Sequence, residues 1–187
     1  IYLEFMNMLD VTSAEDIRNY SIPGVVITGA KVKKNTKADG STVALTIAEG
    51  SIDITLERPI IINGVKDYSG NYAPISDFRM NVLLKDNVRP YFIDPPVYDK
   101  NRNKEIRFTF SEDIKGSMIV KVTQIGTYNF EIPNTVTISG SNVIINLANA
   151  PTQNAALKID IIENKIVDMN ENQVAPMNSQ FVVVAYY

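Results

Sequence analysis

The sequence predicts an all-β chain made of two β-sandwich domains in tandem, and three observations predict it. Short segments alternate apolar and polar side chains, so that Ile1/Leu3/Phe5, Val43/Leu45/Ile47 and Ile106/Phe108/Phe110 each present one apolar face. Turn dipeptides punctuate them, among them Asp39-Gly40, Glu49-Gly50 and Asn63-Gly64. The chain also repeats itself. Val65-Lys66-Asp67-Tyr68-Ser69-Gly70-Asn71 returns, loosened, as Val167-Asp168-Met169-Asn170-Glu171-Asn172, each copy closing an apolar run and preceding a final alternating segment.

Taken in order, Ile1, Leu3 and Phe5 form a half-buried strand. Thr12-Ser13-Ala14-Glu15-Asp16 reads as a helix start, with Thr12 and Glu15 spaced as a capping box. Asn19, Ser21, Pro23 and Gly24 follow too soon for more than about two turns. Val25-Val26-Ile27 and Ala30-Lys31-Val32 are strand-like, and Lys33 to Ser41 is a polar excursion ending in the hairpin signal Asp39-Gly40. Val43, Leu45 and Ile47 mark the next strand, and Ile52, Ile54 and Leu56 repeat the pattern. Pro59 needs an edge or a bulge, because it has no N–H to give to a ladder. Ile60-Ile61-Ile62 leads into the turn dipeptide Asn63-Gly64, and Ser76 to Leu84 is the last strand of the first unit.

A short polar linker, Lys85 to Pro90, separates domains at 1–86 and 87–187. The second begins at Tyr91. Ile106, Phe108 and Phe110 match Ile1, Leu3 and Phe5, Ile114 matches Leu9, and Gly140-Ser141-Asn142-Val143-Ile144-Ile145 matches Gly40-Ser41-Thr42-Val43-Ala44-Leu45. Asp168 and Asn172 match Asp67 and Asn71. The second unit has residues 91–105 ahead of Ile106, and nothing corresponds to them ahead of Ile1. The first domain is therefore expected to lack its N-terminal strand, leaving a sheet edge that is exposed or filled by a neighbouring molecule.

Composition excludes several function classes. The chain of 187 residues has net charge −3 and contains neither Cys nor His. It can form no disulfide, thiolate metal site or cysteine nucleophile, and the commonest general base is missing. Charge divides evenly, with 9 basic and 11 acidic side chains in residues 1–86 and 9 and 10 in residues 87–187, so no basic stripe awaits nucleic acid. No apolar run reaches the ~18–20 residues of a membrane span. Serine nucleophiles lack a base. Glu15-Asp16 and Glu112-Asp113 put carboxylates side by side, but neighbours on a strand or helix point different ways. The reading is not an enzyme.

Glu4-Phe5 with Leu9, then Ser13-Ala14-Glu15-Asp16-Ile17-Arg18-Asn19-Tyr20, resembles the opening of bacterial Ig-like domains found in surface-layer proteins. Phe108-Thr109-Phe110-Ser111-Glu112-Asp113-Ile114 is the same step in the second unit, and Asp67 to Asn71 is similar to the family's Asp-x-x-Gly-Asn loop. The second unit departs from it by lacking the Asn-Tyr helix and by having Glu171 where Gly70 stands. That exchange predicts a different loop shape, since Gly tolerates φ > 0 far better than Glu. The resemblance implies two tandem Ig-like β-sandwich domains of a Bacillus- or Clostridium-like surface layer, outside the cell. There they would tile a lattice with copies of the same protein, beside other domains of a longer parent chain. The alternatives are a stalk or glycan-binding region of an adhesin, or an accessory domain of a secreted polysaccharide-degrading enzyme.

Calcium is the expected cofactor of such a lattice. Asp67 and Asn71, and Asp168 with Asn170 and Asn172, offer the oxygen ligands that this hard cation takes in sets of about six to eight. The same side chains serve equally well to bond the backbone of their own turns. A junction site using Asp86, Asp94 or Asp99 is open by analogy with rigid tandem arrays. Lys31, Lys33, Lys34 and Lys37 are a solvated cluster or a contact for anionic cell-wall polymer. Tyr91-Phe92 and Tyr186-Tyr187 are core residues or a carbohydrate platform.

Overall fold

The opening alternation folds as a strand: β1 (Tyr2–Phe5) buries Leu3 and turns Tyr2 and Glu4 to solvent. In this computed structural model, residues 1–99, 101–102 and 104–186 are described, and they divide into units Ile1–Val88 and Arg89–Tyr187.

In the first unit β1 is followed by the one-turn helix α1 (Val11–Ala14), a 3₁₀ turn at Ile17–Asn19, β2 (Tyr20–Ser21), β3 (Ile27–Thr36), β4 (Gly40–Ile47), β5 (Leu56–Ile62) and β6 (Phe78–Leu84). They form two three-stranded sheets, β1-β4-β3 and β2-β5-β6. Leu3, Val43 and Leu45 of one sheet and Ile60, Ile62 and Leu84 of the other meet in a single core. Asn35 on β3 acts as a strand partner for the segment after β1. Its Oδ1 accepts from the Leu9 N–H at 2.8 Å and its Nδ2 donates to the Leu9 carbonyl at 3.0 Å.

Several local readings are corrected. The polar excursion is part of β3, which continues to Thr36 as an edge strand with register shifts at Ile27/Gly29 and Val32/Lys34. Lysines and bulges are how an edge is kept from pairing with another chain, so polarity there marked an edge rather than a loop. The helix is capped two residues earlier than the Thr12 box suggests. Asp10 is the N-cap, its carboxylate accepting from the Ser13 N–H at 2.8 Å. Ile52 and Ile54 do not form a strand. Ile52 is buried with its N–H on the Asn87 side chain, while Ile54 is exposed. The last strand starts at Phe78 rather than Ser76. Asn63-Gly64 is no hairpin turn either: β5 and β6 pair directly, Ile62 opposite Phe78, across a long connection, and the Asn63 N–H donates to the Asn19 carbonyl. Pro59 lies on the central strand of its sheet, yet β2 pairs only with Ile61 and Ile62. Pro59 is thus beyond the end of β2, on a locally open side.

The second unit comprises β7 (Phe92–Tyr98), β8 (Glu105–Phe110), β9 (Ile114–Lys115), β10 (Met118–Ile125), β11 (Phe130–Ile132), β12 (Asn134–Ser139), β13 (Asn142–Leu147), β14 (Ala156–Asn164), β15 (Val167–Asp168) and β16 (Gln180–Val184). Its sheets are β12-β13-β8-β7 and β11-β10-β14-β16, with β15 and β9 paired at one end. Phe108, Ile106, Val143, Ile145, Leu157 and Ile159 are fully buried between them.

The repeat holds in register. Leu3 faces Val43 as Phe108 faces Val143, and Leu9 bridges Asp67 as Ile114 bridges Asp168. β2-β5-β6 has its counterpart in β10-β14-β16. Where the first unit spends α1 and a 3₁₀ turn, the second runs from Gly116 almost directly into β10. Both units are all-β sandwiches of one design.

Candidate functional site

The two Asp loops close equivalent ends of the two sandwiches. Asp67 Oδ2 accepts from the Ser69 hydroxyl at 2.5 Å and the Ser69 N–H at 3.2 Å, and Oδ1 accepts from the Tyr72 N–H at 3.4 Å. These donors, the Ser69 hydroxyl foremost, hold the Asp67 carboxyl below its usual range. Asn71 is exposed and takes part through its backbone, its N–H donating to the Ser69 hydroxyl oxygen at 3.2 Å. In the second unit Asp168 is fully buried. Its Oδ1 accepts from the Asn170 and Asn172 N–H groups at 2.7 and 2.8 Å, and Oδ2 accepts from the Asn172 amide nitrogen at 2.7 Å.

The structure therefore brings Asp168 and Asn172 together but leaves Asn71 off Asp67. In both loops the carboxylate organises its own turn. Within the second unit the Glu112 carboxylate also comes within 4.8 Å of that of Asp168. No local signal marks this neighbour, because β9 and β15 bring together segments far apart in sequence.

The two loops also share a backbone shape, against the expectation drawn from Glu171. Gly70 has φ +69° and Glu171 φ +73°. Each donates its N–H to the carbonyl of the loop aspartate at 3.4 Å. Glu171 adopts the left-handed conformation with its carboxylate bound to the Lys115 ammonium.

Several of the remaining candidates have structural partners. Glu15 accepts from Lys31 Nζ and from the Val32 N–H, which together lower its pKa, Lys31 contributing most. Asp16 caps the 3₁₀ turn and grips the Arg18 guanidinium, which takes its carboxyl down to about 2. Within the lysine cluster, Lys31 pairs with Glu15 and Lys34 with Asp39 at 3.1 Å. Phe92 is packed among Phe108, Phe110 and Phe181, leaving Tyr91 exposed beside it. Tyr186 is exposed, and Tyr187 lies outside the described residues.

One edge differs between the two units. β8 is covered by β7, whereas β1, its counterpart, is the outermost strand of its sheet among the described residues. Beside β1 opens a cleft of about 720 Å³ with mostly apolar walls from β1 and β6.

No helix among the described residues is long and apolar enough to cross a membrane. No curated protein and no solved structure matches the chain. Domains of the bacterial Ig-like family occur in bacterial surface proteins and are typically non-catalytic structural modules. The sequence pattern of that family matches residues 94–183, from within β7 to β16, so the second unit carries a bacterial Ig-like domain.

Proposed function

We propose that the chain is a structural segment of a bacterial surface-layer or surface-array protein. In this reading its sandwiches space and present edges to neighbouring copies outside the cell. The observation that carries it is the in-register repeat: Leu3/Val43 with Leu9/Asp67 in one unit and Phe108/Val143 with Ile114/Asp168 in the other. Tandem copies of one rigid sandwich suit work done through shape and spacing, and Glu15, Asp16, Lys31, Lys34, Asp67 and Asp168 are engaged in caps, turns and pairs.

Calcium belongs to the same reading, with Asp67, Asn71, Asp168 and Asn172 as its ligands and Glu112 as an added neighbour of Asp168. The test is light scattering and electron microscopy of the purified chain across a concentration series, with thermal melts in calcium and in EGTA. Ordered assemblies that grow with concentration, and a melting temperature raised by calcium, are expected. A chain that stays monomeric throughout overturns the lattice role, and identical melts with and without calcium remove the ion from it.

A further inference from the structure

The second unit shows what belongs at the open edge of the first. There β7 lies along β8: the Asp99 N–H donates to the Glu105 carbonyl at 2.9 Å and the Ser111 N–H to the Tyr91 carbonyl at 2.8 Å. Its Phe92 ring sits 5.3 Å from Phe108, 4.6 Å from Phe110 and 5.6 Å from Phe181, between the two sheets. In the first unit Leu3 holds the position of Phe108, opposite Val43.

The backbone of β1 is set up to receive a partner. Ile1 and Leu45 exchange both backbone hydrogen bonds, at 3.0 and 2.8 Å. In an antiparallel ladder such pairs alternate, so the N–H and C=O groups of Tyr2 and Glu4 face away from β4. Beside them lies the cleft, its walls including Leu3, Phe5, Ile62, Phe78, Met80 and Val82. Phe78, Met80, Val82 and Leu84 share one face of β6 by strand alternation, and Leu84 is buried in the core. Yet Phe78 is 50% and Met80 43% exposed. An inward face that is dry at one end and wet at the other is a sandwich layer left uncovered.

We propose that this cleft is a strand-acceptor site. It takes an extended polypeptide segment from outside these 187 residues, antiparallel to β1, with a large apolar side chain filling the place that Phe92 fills in the second unit. Main-chain bonds to Tyr2 and Glu4 supply affinity and the cleft supplies selectivity. Residues 1–187 cannot serve as donor at no cost. β7 is already committed to β8, and a second copy's β1 has Leu3 and Phe5 packed against its own core, which leaves neither free to fill the cleft.

The probe is a labelled synthetic peptide with the sequence of residues 89–99, added to the full chain and read by fluorescence anisotropy and by amide exchange at Tyr2 and Glu4. Saturable binding and at least tenfold slower exchange at both amides are expected. Affinity should fall at least tenfold for the peptide with Phe92→Ala, and likewise for the chain with Met80→Lys or Phe78→Ser. Both protein positions are half-exposed, and circular dichroism checks that the variants fold; the peptide substitution needs no such check. Unchanged exchange in millimolar peptide overturns the proposal, as does binding indifferent to these substitutions. Dimerisation of the chain alone through β1 overturns it in favour of a second copy.

Discussion

Tyr20 is the residue whose chemistry most clearly exceeds its sequence context. It is 4% exposed, and its hydroxyl donates to the Ala14 carbonyl at 2.8 Å, tying the helical turns to the start of β2. Burial pushes its pKa up to about 12. Between the unfolded value near 10 and the folded value, the unfolded chain has lost this proton and the native chain keeps it, so stability falls as pH rises through that window. The full loss is roughly 2–3 kcal/mol. Urea melts at pH 8 and pH 11 should show a steeper drop for the parent chain than for Tyr20→Phe, which itself costs about 1 kcal/mol at pH 8 through the lost hydrogen bond. Glu171 makes a second test at this scale. A left-handed φ costs a non-glycine residue about 1–2 kcal/mol, and its surface ion pair with Lys115 returns less. Glu171→Gly is therefore expected to raise the denaturation midpoint of the second unit slightly, by about 0.5–1 kcal/mol; a lower midpoint would show that the Lys115 contact dominates.

At the scale of elements, alternation carried the reading wherever a strand had one wet and one dry face. β1, β4, β8 and β13 were legible for that reason, and so was the Asp39-Gly40 turn joining β3 to β4. Gly40 illustrates what pattern cannot show. Its φ is +72°, and a Cβ there would lie 2.0 Å from the Phe5 carbonyl oxygen, so the β3-β4 hairpin has β1 pressed against it. Gly40→Ala should cost at least ~1–3 kcal/mol from the strained φ alone and more from the clash, measured by chemical denaturation of the first unit. Gly70→Ala, with a similar φ but open space around it, should cost clearly less. The misreadings at Lys33 to Ser41, at Ile52 and at Asn63-Gly64 share a cause. Local residues say that a chain is extended or turning, and only the neighbouring strand decides whether it pairs.

Across the whole molecule the two units are unequal. Among the described residues the second core gathers 17 buried apolar side chains, including Phe108 and Phe110, and the first gathers 12. With the Phe78 and Met80 end of its sandwich open as well, the first unit buries less apolar surface and should be the weaker. Pulse proteolysis across a urea series is expected to cut within residues 1–88 at lower urea than within residues 89–187; the reverse order would mean that the open edge costs little. The sequence by itself determined the all-β class, the tandem repeat and the Leu9/Ile114 and Asp67/Asp168 correspondences. Each of these is written in alternation, turn residues or repetition within short windows. Tertiary structure alone decided that Asp168 is buried beside Glu112, that Glu171 reproduces the turn of Gly70, and that the open edge borders an apolar cleft. These depend on segments distant along the chain meeting in space, which no local pattern encodes.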